Sequence, residues 1–164
     1  MTSTPDGQMQ AIHDQIHEAH VVALGASLNG SYRATPDVIS TLRHAVADYA
    51  HSVGIDGAQL DGVRLAVSEA ISNVVLHAYQ DEPGAVHVTA HVVRDELWVL
   101  VSDEGRGYNA SPIRAGLGWG LAFITDAADE FVLAERSDGG TEARMVFRLP
   151  TTRTLTDAHA TNAR

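Results

Sequence analysis

Between Leu65 and Tyr79 the chain is apolar nearly all the way round a helix, and the polar side chains that stand out in that run, Glu69, Asn73 and His77, recur every fourth residue. At about 100° per residue they fan over roughly 80° of one face. Val63, Val67, Ala70, Val74 and Ala78 cover the opposite face, which therefore belongs to a core. The polar stripe differs from the solvated side of an ordinary amphipathic helix, which favours long charged helix formers. Here a carboxylate, an amide and an imidazole stand beside Leu65 and Leu76, as in the wall of a pocket.

The same patterning lays out the rest of the chain. His20 to Leu28 reads as a first strand, and Thr35-Pro36-Asp37 opens a helix whose Val38, Ile39, Leu42, Ala45, Val46, Tyr49, Ala50 and Val53 keep a helical rhythm up to Gly54. The helix with the polar stripe runs unbroken from about Gly57 to Tyr79, and Asp81-Glu-Pro-Gly84 turns the chain. From Ala85 the period changes to two. Val86, Val88, Ala90 and Val92 alternate with His87, Thr89 and His91, and Arg94-Asp95 leads into a more apolar strand, Leu97 to Val101. A glycine-rich loop spans 102–120, and Leu121, Ala122, Ile124, Thr125 and Ala128 form a short helix whose first amides face that loop. Phe131 to Arg136 and Thr141 to Leu149 close the domain as a hairpin across Ser-Asp-Gly-Gly.

This order implies an α/β fold: a two-layer sandwich of a mainly antiparallel, mixed sheet with helices on one face. Its pocket is expected between the polar stripe and the glycine-rich segment. Residues 1–18 and 151–164 read as flexible polar tails around one domain at 19–150. His13, His17 and His20 share a helical spacing, but no carboxylate or cysteine anchors them, so a surface helix is preferred to a metal site.

Composition narrows the chemistry. The 164 residues include no cysteine, which excludes disulfides and thiolate chemistry, and all 11 basic residues are arginine. Without lysine there is neither a P-loop nor a Schiff base, so a phosphate site must use backbone amides, arginine or a metal. A net charge of −10 disfavours nucleic acid as a partner. The apolar runs fall short of a membrane span and no leader signal opens the chain, so the expected location is the cytoplasm. Gly105-x-Gly107-x-x-Ala110 matches a loose dinucleotide fingerprint but fails on context, because Pro112 and more glycines follow where a helix should begin.

Glu69-x-x-x-Asn73-x-x-x-His77, Asp103-x-Gly105-x-Gly107 and Gly118-x-Gly120 resemble, in order, the N, G1 and G2 boxes of the Bergerat (GHKL) ATP-binding fold. Within that superfamily the run Ser-Glu-Ala-Ile-Ser-Asn-Val-Val-Leu-His-Ala-Tyr is most similar to the bacterial anti-sigma-factor serine kinases. The resemblance covers residues 20 to 149 and implies ATP and Mg2+ as cofactors. It implies Asn73 as the metal ligand, Asp103 as the adenine reader, and Gly105, Gly107, Gly118 and Gly120 as backbone closing around the nucleotide. Thr141 sits where the family often has a threonine near adenine, and Glu69 resembles the general base. Arg114, in a mobile lid at about 108–117, or Arg106 would reach the phosphates, whereas His77 is expected to cap or pack.

The implied partners are an anti-sigma antagonist with a STAS-type domain, a sigma factor and a second copy in a homodimer, with no nucleic acid or membrane. The implied function is an anti-sigma factor kinase acting on serine or threonine. A binding regulator with weak or lost kinase activity is the alternative. A stand-alone histidine-kinase catalytic domain and a hydrolase are disfavoured, the first because about 20 leading residues cannot build a phosphoacceptor hairpin and the second because no carboxylate pairs with Glu69.

Overall fold

The computed structural model describes residues 27–107 and 118–150. Its elements follow in the order β1 (Leu28–Arg33), α1 (Pro36–Ser52), α2 (Gly57–Asn73), a π-helical turn (Val74–Ala78), β2 (Ala85–Val93), β3 (Glu96–Asp103), α3 (Gly118–Ala127), β4 (Glu130–Glu135) and β5 (Thr141–Arg148). Pro36 starts α1 behind an extended Thr35, with Asp37 in the positively polarised first turn. Its Val38, Leu42, Val46, Ala47 and Ala50 are buried, as are Leu60, Val63, Ala66, Val67, Ala70 and Ile71 of α2.

The strands form one sheet in the order β1-β2-β3-β5-β4, and all four pairings are antiparallel. Register follows the hydrophobic alternation. Val88 stands opposite Val101 and Ala90 opposite Val99, while Val99 meets Met145 and Leu97 meets Phe147. These side chains share the buried face with the apolar sides of the helices, in the two-layer sandwich expected from the element order. Asp103 continues the same alternation after Leu97, Val99 and Val101, so the strand ends by delivering a carboxylate to the core side of the sheet.

Three expectations change. The first strand among the described residues is Leu28–Arg33, overlapping the expected His20–Leu28 only at Leu28, and residues 20–26 lie outside the described residues. Its inward positions Leu28, Gly30 and Tyr32 face Ala90, Val88 and Val86, and Gly30, having no side chain, hides the period of two. The strands are purely antiparallel among the described residues, with no parallel pair. The long helix is also not uniform, since α2 gives way to a π-helical turn directly after Asn73. That wider turn is held from outside the helix, as shown below. The lid, with Pro112 and Arg114, and both expected tails fall outside the described residues. Among the described residues, no helix is long and apolar enough to cross a membrane.

Candidate nucleotide-binding site

A cleft opens between α2 with its π-turn, the end of β3, the start of β5, and α3. Asn73 and His77 line it from the helix, Asp103, Thr141 and Ala143 from the strands, Gly107 from the first glycine segment, and Leu121 and Ile124 from α3. Val74, Val101 and Leu133 supply further apolar wall. An apolar cleft with a few polar groups on its walls suits a flat heterocycle that needs a specific contact.

Asp103 is the buried carboxylate of this cleft. It is 3% exposed, and Oδ1 accepts a hydrogen bond from the Gly105 main-chain N–H at 2.8 Å. Burial raises its pKa above the ordinary aspartate value, while the main-chain N–H groups of Gly105 and Thr141 and the charges of Arg136 and His87 pull the other way. A carboxylate has more lone pairs than these donors use, and as an ion it only accepts. Two glycines permit this placement. A methyl on Gly105 would run into the Ala78 carbonyl, and one on Gly140, at φ +83°, would run into the Asp103 carbonyl. The Gly139-Gly140 turn thus belongs to the site, and Thr141 follows it directly.

Beside the cleft α3 packs across α2. A methyl on Gly120 would lie 2.8 Å from Glu69 Oε2 and 3.8 Å from Asn73 Oδ1, so the second glycine box rests on the polar stripe. One turn separates Glu69 from Asn73, which places a carboxylate and an amide oxygen side by side where α3 begins at Gly118. Among the described residues no three histidine, aspartate or glutamate side chains cluster as a metal site. A divalent ion here would therefore draw most of its oxygen ligands from a bound phosphate chain and from water.

Arg106, one of the two candidate phosphate contacts, is anchored to the π-turn through its main chain and one side-chain nitrogen. Its main-chain N–H donates to the Ala78 carbonyl at 3.2 Å and its Nε to the His77 carbonyl at 3.3 Å, satisfying carbonyls at the end of the π-turn. Arg114, the other candidate, lies outside the described residues. Tyr79 is a residue that pattern reading missed. Its hydroxyl donates to the Ala85 carbonyl at 2.6 Å and accepts from the Glu104 N–H at 3.0 Å, tying the chain after the π-turn to the first glycine box. Arg136 was missed as well: it bonds Ser102 Oγ at 3.2 Å and pairs with Asp138 at 2.7 Å, next to Asp103. Neither residue carries a sequence signal, because each acts through partners brought near only by the sheet.

The chain matches a family model described as the histidine kinase-like ATPase domain over residues 32–147. It is 33% identical over 86 residues to the serine-protein kinase RsbW of Bacillus subtilis, covering 52% of this chain and 54% of that protein. The RsbW of Bacillus mycoides is 27% identical over 85 residues, covering 52% and 53%. The chain thus spans about half the length of the curated relatives it matches. Among solved structures, that of the RsbU and RsbW domains of Rv1364c from Mycobacterium tuberculosis aligns with a TM-score of 0.61 at 25% identity, over 77% of this chain and 33% of that one. The matched span contains the cleft, the polar stripe and both glycine boxes, and the chain belongs to the histidine kinase-like ATPase domain family.

Proposed function

We propose that this chain is an ATP-dependent protein kinase that transfers the γ-phosphate to a serine or threonine of a small anti-sigma antagonist with a STAS-type domain, and that it sequesters a sigma factor when the antagonist is phosphorylated. The observation that carries the reading is that one cleft brings together Asn73 of the helix stripe and Asp103 of β3, while Glu69, one turn before Asn73, lies against Gly120 of α3. The similarity to proteins named serine-protein kinase RsbW supports it.

In this account Asp103 accepts a hydrogen bond from the exocyclic amine of adenine. The carbonyl that guanine presents at the same place would face a second acceptor. Gly105 and Gly107 let the backbone close on the base, Thr141 lies beside it, and Gly118 and Gly120 bring the first amides of α3 toward the phosphates. Asn73 Oδ1 would complete the shell of a Mg2+ ion, which neutralises phosphate charge when bound. The acceptor hydroxyl oxygen bonds to the γ-phosphorus as the bond to the β-γ bridging oxygen breaks. ADP leaves, and Glu69 takes the hydroxyl proton. Most of the acceleration comes from positioning, with the base adding about 10²- to 10⁴-fold. ATP and sigma factors share the cytoplasm, where such a kinase would act, and a homodimer would give each sigma factor two equivalent surfaces.

The test is isolation of the protein with its partners from its native cell, followed by incubation with γ-labelled ATP and Mg2+. Label on serine or threonine of a small co-purifying protein is the expected result. Tight ATP binding with no transfer to any bound partner would instead favour a regulator that binds without catalysis. Label on histidine would overturn the assignment.

A further inference from the structure

Helix α3 has two faces with different occupants. Leu121 and Ile124 turn inward onto the cleft. Trp119 and Phe123, one turn apart on the other side, are 78% and 46% exposed. The crossing on α2 locates them. Gly120 sits against Glu69, and a methyl on Gly62 would lie 3.6 Å from the Ala127 β-carbon, so the two helices run antiparallel with Phe123 between these points. Leu65, one turn before Glu69 on α2 and 43% exposed, stands at the same level. An aromatic and aliphatic strip thus begins at the residue beside Gly120 and runs away from Glu69. A tryptophan left this open is costly in water and typical of binding hot spots.

Charge selects the occupant. Across α2 and α3 the charged residues are Asp61, Arg64, Glu69 and Asp126, and Arg64 pairs with Asp61 at 2.9 Å. Glu69 and Asp126 leave the strip bordered by negative charge, on a chain of net charge −10. A second copy docking through the same strip would set these acids against each other. A basic segment would not.

We infer that Trp119, Phe123 and Leu65 form the docking strip for an exposed, basic segment of the acceptor protein, whose apolar side chain seats between Trp119 and Phe123 and thereby delivers the neighbouring hydroxyl to Glu69. This rests on the kinase reading above. It makes α3 the element that closes the nucleotide cleft on one side and chooses the acceptor on the other.

Two tryptophans are present, Trp98 and Trp119, so Trp98→Phe leaves Trp119 as the sole reporter. The probes are three synthetic peptides with a central serine: one flanked by leucines with terminal arginines, one with glutamates replacing the arginines, and one with alanines replacing the leucines. Titration of the ATP-bound protein with the first should shift Trp119 emission to the blue and saturate. The other two should bind at least tenfold more weakly. Phe123→Ser should weaken the first peptide at least tenfold and leave ATP affinity, measured by calorimetry, unchanged. Equal binding of all three peptides, no saturation with the leucine–arginine peptide, or undiminished binding by Phe123→Ser would overturn the inference. So would an emission shift that appears on concentrating the protein without peptide, which would assign the strip to a second copy. Selective binding without phosphate transfer to the serine would uphold the strip and defeat the kinase reading; transfer without selectivity would do the reverse.

Discussion

Glu69 and Gly120 are in direct apposition: a methyl group on Gly120 would lie 2.8 Å from Oε2 of Glu69, closer than side-chain carbons approach an oxygen. The atom in the way is the tip of a flexible side chain, so Gly120→Ala should displace the carboxylate rather than the fold. Alanine is better than glycine inside a helix by about 1 kcal/mol. The expected outcome is an unchanged or slightly higher melting temperature together with at least a tenfold loss of phosphoryl transfer, because a misplaced catalytic group is costly even for shifts near 1 Å. Melting curves and transfer rates on the same preparation check it.

Asp103 should set nucleotide choice. With the carboxylate as acceptor, ATP should bind roughly tenfold or more tightly than GTP, and Asp103→Asn should narrow that gap by weakening ATP, since the amide can turn a donor toward the base. Calorimetric titration of both nucleotides into both proteins gives the four affinities. Equal affinities in the wild type would remove Asp103 from the role.

The same residue should leave a mark on stability. Burial raises the Asp103 pKa in the folded protein above its unfolded value, so its stabilising contribution is fully present below the unfolded pKa and is lost as pH rises through the folded one. Asp103→Asn does not titrate and still offers Gly105 an acceptor. Relative to wild type, the variant should therefore be more stable at pH 7.5 than at pH 4, as read from urea unfolding midpoints at the two pH values. A difference that stays constant or reverses would contradict the account.

Gly105→Ala probes the joint between the first glycine box and the stripe helix. The added methyl meets the main-chain carbonyl of Ala78, and neither backbone can move freely because the Arg106 N–H bonds that carbonyl. A loss of about 1–3 kcal/mol is expected from the overpacking, together with weaker ATP binding as the Gly105 N–H leaves Asp103. Denaturant unfolding and calorimetry test the two effects separately.

Legibility from sequence followed the range of the interactions. The Glu69, Asn73 and His77 stripe was visible because helical period and an odd choice of polar residues coincide within nine positions. Asp103 was visible as part of a box, and the alternation Leu97, Val99, Val101, Asp103 explains why it is buried. What stayed hidden depends on distant partners. The π-turn is held by Arg106, 29 residues beyond His77, and the Tyr79 bridge to Glu104 spans 25. The strand Leu28–Arg33 was not foreseen, because a strand with glycine at an inward position and exposed Asn29, Ser31 and Arg33 offers little hydrophobic signal. The five strands pair only antiparallel among the described residues, where the element order implied a mainly antiparallel, mixed sheet.

The central claim is that Glu69 acts as the base of a phosphoryl transfer, and Glu69→Gln tests it most directly. Glutamine keeps the length of the side chain and its place against Gly120 while removing the proton acceptor. The measurement is transfer of labelled γ-phosphate to the antagonist recovered with the protein, with ATP affinity determined on the same samples. The account predicts transfer slower by about 10²-fold or more with ATP affinity within about twofold of wild type. Transfer at the wild-type rate by Glu69→Gln would contradict it.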